Sequence, residues 1–149
     1  MKLLTATFAL ALPLAATFAA ASDASACGIT PQFEARVAVD LHFRALNAHD
    51  EKQLAAMWMK DGFVIDRRVP MSGRAPRVST SSLQSAAKVW FTDGEIKHKI
   101  DRISMDGPVA RAHATVTYAG SAERDEDFVL VRTADGFKIL TDTTSELSY

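Results

Sequence analysis

The sequence predicts an α+β domain, three N-terminal helices packed on a curved antiparallel sheet in a cone-shaped barrel. Three observations predict it. Apolar residues recur at helical spacing through much of the chain as far as Phe91. Two-residue alternation takes over after Asp93-Gly94, most clearly over Val109–Tyr118. The turn signals Asp106-Gly107-Pro108 and Ala134-Asp135-Gly136 divide that second half into hairpins. Helices followed by a run of strands is the α+β order.

The first residues stand apart from the domain. Lys2 is followed by an apolar run over 3–20 and then by small residues. This reads as a secretory signal peptide over 1–21, with cleavage after Ala21 or as late as Ala26. The mature protein would be periplasmic or secreted. A flexible leader is expected over 22–31 and the domain over 32–149. Cys27 is the one cysteine, so an intramolecular disulfide is excluded. Ala24-Ser25-Ala26-Cys27 loosely resembles a bacterial lipobox without its large aliphatic residue; Cys27 is either a lipid anchor or a free thiol. Without Lys2 the 17 basic residues become 16 against 18 acidic ones, a net of about −2. No basic stripe with interleaved aromatics appears, which argues against nucleic acid. No polybasic or amphipathic membrane-surface segment appears either.

The elements follow in order. A helix is expected over 32–48. On its wheel Arg36, Asp40, Arg44 and Asn47 share one polar arc, and His42 falls in the middle of the apolar one. Its imidazole should therefore point inward. His49-Asp50 makes a tight turn, with Asp50 as N-cap and Gln53 where a capping box wants it. Leu54, Met57, Trp58 and Asp61 mark a second helix, ended at Asp61-Gly62 with Gly62 suited to a left-handed conformation. A short strand over 63–69 and a loop over 70–77 come next. A third helix should run from Ser79 or Thr80 to Phe91, with Leu83, Ala86, Ala87 and Trp90 inward. Four strands are expected over 96–105, 109–118, 125–133 and 137–146, with a turn over 120–122. Such a sheet must curl over the helices, leaving a conical cavity beside the first helix. Ala110, Ala112 and Ala114 on one strand face allow close packing.

Taken together, these motifs resemble the nuclear transport factor 2-like superfamily, which includes SnoaL-like proteins and ketosteroid isomerase. The likeness rests on Ala48-His49-Asp50, Leu54, Met57-Trp58 and Asp61-Gly62-Phe63-Val64-Ile65-Asp66. Gly73-Arg74, His98-Lys99-Ile100, Val109-Ala110-Arg111-Ala112, Val129-Leu130-Val131-Arg132 and Asp135-Gly136-Phe137-Lys138-Ile139 extend it over nearly the whole mature chain. The fold hosts isomerases, cyclases, dehydratases and non-catalytic binders. Against ketosteroid isomerase, the resemblance puts His42 at the oxyanion-hole tyrosine and Asp66 at the general-base aspartate. The second oxyanion donor would fall near Phe128-Val129, where apolar residues stand. Asp127 is one or two positions off, on the opposite or a neighbouring face.

His42 and Asp66 are the candidate catalytic residues, with Trp58, Trp90, Tyr118 and Phe43 as ligand-lining candidates; Trp58, Trp90 and Tyr118 could instead fill the core. His42 could instead be a satisfied core histidine, and Asp66 a carboxylate paired with Arg67, Arg68 or Arg74. His113 belongs to a polar sheet face, solvated or at a subunit interface; His49 belongs to the turn and His98 to a strand end. The four histidines lack paired spacing, and no calcium loop, nucleophile elbow or phosphate loop is present. No metal and no cofactor are expected. Three functions remain. One is a small-molecule-binding domain with an apolar or carbonyl-bearing ligand in the cone. Another is an isomerase or lyase with Asp66 as base and His42 as oxyanion donor. The third is an interaction module forming a homodimer through the outer sheet face.

Overall fold

The structure, a computed structural model, describes residues 28–91, 94–119 and 122–148. The expected signal peptide with its expected cleavage, and Cys27, lie outside the described residues, as do parts of the turns at 92–93 and 120–121. Helix α1 spans Pro31–Asn47; Thr30 caps it, its hydroxyl accepting from the Phe33 N–H at 3.2 Å. Helix α2 spans Glu51–Met57, and Asp50 caps it through the Gln53 N–H at 2.9 Å. Strands β1 (Trp58–Pro70) and β2 (Arg77–Ser82) lead to α3 (Leu83–Trp90), capped by Ser82. Four strands complete the chain: β3 (Ile96–Asp106), β4 (Val109–Tyr118), β5 (Arg124–Thr133) and β6 (Gly136–Ser148).

The second half follows the expected strands closely, and β4 buries Ala110, Ala112, Ala114, Val116 and Tyr118 on one face as its alternation requires. The first half differs in three places. α2 ends at Met57 rather than Asp61, because Trp58 turns extended and buries its ring in the core. Gly62 is not in a left-handed conformation; it sits where a Cβ would lie 2.8 Å from Trp58 Cε3 and 3.0 Å from the Met59 carbonyl. Here glycine is required by close approach. Residues 77–82 form a strand instead of loop and helix start, so α3 begins at Leu83. β2 is an almost wholly exposed edge strand, and with neither face buried it leaves no alternation to read.

The sheet has six strands in the order β2-β1-β6-β5-β4-β3, one more than the five expected, and it does not close into a barrel. Nor is it purely antiparallel, since β1 runs parallel to β6, with Val64 opposite Asp142 and Asp66 opposite Thr144. α1 packs across the concave face, burying Ala35, Val39, His42, Phe43 and Leu46 against it.

Candidate active site

α1 carries His42 into the core, where it is fully buried. The Trp58 indole N–H donates to its Nδ1 at 3.2 Å. Phe43, Trp90 and Phe128 surround the imidazole edge-on, with ring centroids 5.1, 5.7 and 5.5 Å away. Burial in this cage, helped by the charge of His98, lowers the His42 pKa to about 3. The ring is therefore neutral, and with Nδ1 accepting, its proton sits on Nε2. That Nε2 has no protein partner among the described residues.

Strand register places the acids. Residues opposite one another share a sheet face, so three rows cross the concave side. The deepest joins Phe128, Asp142 and Val64; the next joins Glu126, Thr144 and Asp66. At the rim Arg124 meets Glu146 at 3.5 Å, and Arg68 stands opposite Glu146. Polarity and exposure thus rise together from the first row to the third.

Asp142 and Glu126 are both completely buried. Tyr118 donates its hydroxyl proton to Glu126 Oε1 at 2.5 Å, while Arg124 lies over the Tyr118 ring at 5.4 Å. Glu126 Oε2 and both oxygens of Asp142 have no protein partner among the described residues. Burial pushes the Glu126 carboxyl up, against the opposing effects of Tyr118 and Arg124. Burial pushes Asp142 well up, and the neighbouring charge of Glu126 adds to it. Asp142 therefore favours the proton-bound form, while Glu126, whose charge Tyr118 and Arg124 support, is the acid of the pair that ionises first. Tyr118 is likewise raised, by burial first and then by the two carboxylates.

The expected site residues divide into three groups. His42, Trp58, Trp90 and Phe43 come together as one aromatic cluster. Tyr118 joins the acids instead. Asp66 shares the row of Glu126 but stands at its outer end, its side chain 37% exposed and paired with Arg68 at 3.2 Å. Asp127 faces the convex side, where its carboxylate accepts from His113 Nδ1–H at 2.9 Å. No second oxyanion donor stands at Phe128-Val129; the acid on their inner face is Glu126, two residues before Phe128. Its signal was present in the sequence as a charge in step with Phe128 and Leu130. Three cavities open away from this buried cluster: one of about 390 Å³ between α1 and the β5–β6 hairpin, one of about 370 Å³ on the convex sheet face, and one of about 560 Å³ beside β2. None of these three is lined by His42, Glu126 or Asp142.

Solved structures share this architecture. A protein of unknown function from Shewanella baltica, described as nuclear transport factor 2-like, superimposes with a TM-score of 0.61 at 11% identity, over 74% of this chain and 89% of its own. The chain has the nuclear transport factor 2-like fold. Another structure with this fold, a candidate dehydratase from Streptomyces avermitilis, gives a TM-score of 0.61 at 19% identity, over 83% of this chain and all (100%) of its own. A candidate ketosteroid isomerase from Shewanella frigidimarina gives 0.57 at 18% identity, over 75% and 94%. In sequence, no family profile and no curated protein matches the chain.

Proposed function

We propose that the chain binds a small carbonyl-bearing molecule between α1 and the concave sheet and acts on it as an isomerase or lyase. One observation carries this reading. Three of the four carboxyl oxygens of Glu126 and Asp142 are buried without a protein partner. Each such group costs about 1–3 kcal/mol, a cost a bound ligand would offset. Asp142, held neutral, donates its O–H to the ligand carbonyl. His42 Nε2–H is the second donor, with its tautomer set by Trp58. Glu126 Oε2 removes a proton from the carbon beside the carbonyl, and the two donors stabilise the oxyanion that forms. Tyr118 holds Oε1 and so orients the base. This assigns the base role to Glu126 and leaves Asp66 at the rim as a contact for the incoming ligand.

Binding without turnover is the second reading. It is supported by the Tyr118 hydrogen bond, which weakens Glu126 as a base. In both readings the protein works after export, as the first 21 residues suggest. The test is titration with enones, ketones and apolar metabolites, followed through the fluorescence of Trp58 and Trp90. Asp142→Asn should retain binding through its amide donor, and Asp142→Leu should lose it. Glu126→Gln should cut turnover at least 100-fold with binding intact. Saturable binding indifferent to all three changes would refute the assignment.

A further inference from the structure

The convex face carries a polar concavity that the inner site does not use. β3 pairs with β4 in a register that slips between Ile100 and Arg102. Before the slip Ile96 and Ile100 point inward, and after it Ile103 and Met105 pack against the core. That one extra residue turns Arg102 and Ser104 outward; unbroken alternation would send Arg102 inward with Ile100. Bulges re-aim side chains in this way, often beside functional sites.

Beyond the slip, Arg102, His113 and Asp127 form one cross-strand row, and Ser104, Arg111 and Val129 the next. These six line the cavity of about 370 Å³, together with Ala112 and Phe128. Two guanidinium groups therefore stand diagonally on one face, where like charges repel. Arg68, Arg124 and Arg132 each pair with a carboxylate. Arg102 and Arg111 have no such partner among the described residues. The neighbouring acids are engaged: Asp101 with Lys99 and Thr115, and Asp127 with His113. Asp127 lines the cavity too, and its bond to His113 turns it toward the imidazole.

We infer that this concavity is a second ligand site, taking the oxyanion group of a small molecule, a phosphoryl or a carboxylate, between Arg102 and Arg111 with Ser104 as hydroxyl donor. Planar guanidinium forks suit such groups. The site is separate from the acid pair and stands whether or not that pair is catalytic.

The experiment is an amide and arginine side-chain NMR titration of the whole protein with inorganic phosphate, at ionic strength held constant with chloride. Saturable shifts confined to Ser104, Arg111, His113 and Arg102 are expected. R102Q with R111Q should weaken binding at least tenfold, and S104D should do so alone. Both changes are exposed, so thermal melting checks that the fold is retained. A parallel acetate titration distinguishes the two ligand types: tighter phosphate means a phosphoryl site, tighter acetate a carboxylate site. Non-saturating shifts, shifts spread over all exposed basic residues, or unchanged affinity in R102Q/R111Q would overturn the inference. So would affinity that falls with protein concentration as sedimentation shows two copies covering this face.

Discussion

Trp58 on β1 reaches 3.2 Å to Nδ1 of His42 on α1, so the strand decides which nitrogen of the helix imidazole carries the proton. Trp58→Phe keeps the ring and removes the N–H. Nδ1 is then buried and unpartnered, and the expected cost is about 1–3 kcal/mol. Urea unfolding measures it. A variant as stable as the parent would mean that the bond does not set the tautomer.

His42 also makes stability depend on pH. Its pKa is about 3 folded, against 6.5 for an ordinary histidine. The unfolded chain takes up this proton below 6.5 and the folded chain does not until about 3. Stability is therefore full above 6.5 and falls through this window as pH drops, by at most about 1.4 kcal/mol per pH unit. His42→Gln should flatten that acid limb in melting curves recorded from pH 7 to 4.

The two acids work in the opposite direction. Their folded pKa values are raised, so the folded state holds protons that the unfolded state releases. Their contribution is complete below the ordinary carboxyl pKa and is lost as pH rises through the folded values. Asp142→Asn and Glu126→Gln should each raise the melting temperature at pH 8 more than at pH 4. Equal shifts at both pH values would show that the carboxyls are not held protonated.

Gly62→Ala would drive a methyl against the Trp58 ring and two backbone carbonyls, those of Met59 and Leu140. The carbonyls cannot swing aside, so a loss of about 1–3 kcal/mol is expected. Because the displaced ring is the partner of His42, the tryptophan emission should shift as well. A silent substitution would place Gly62 outside any constraint on Trp58.

Asp66→Asn should leave stability within about 1 kcal/mol of the parent, since its pair with Arg68 is largely exposed. With turnover, it should change KM more than kcat. A loss of kcat as deep as that of Glu126→Gln would return the base role to Asp66.

Much of the fold was legible because patterns with one buried face advertise themselves. The wheel around His42 predicted an inward imidazole, and the alanines of β4 predicted a closely packed face; both are as described. β2 was not legible, because neither of its faces is buried. Asp142 was hidden for a different reason. Phe137 and Ile139 point inward, then the register shifts, and Asp142 and Thr144 become the inward pair. Strict alternation from Ile139 would have sent Asp142 to solvent. Glu126 was readable from its step with Phe128, but it sits among Asp125 and Asp127, which face outward, and the three read as one acidic run.

The parallel seam between β1 and β6 has a kinetic consequence. Trp58 aligns with Ile139 and Val64 with Asp142, so the middle of the sheet joins segments separated by most of the domain. Such distant pairings slow folding. During synthesis the helices and β1 must wait, with their apolar sides uncovered, until β6 has left the ribosome. A holding chaperone would find its longest window then, and refolding from denaturant should be slower than for a helical bundle of similar size.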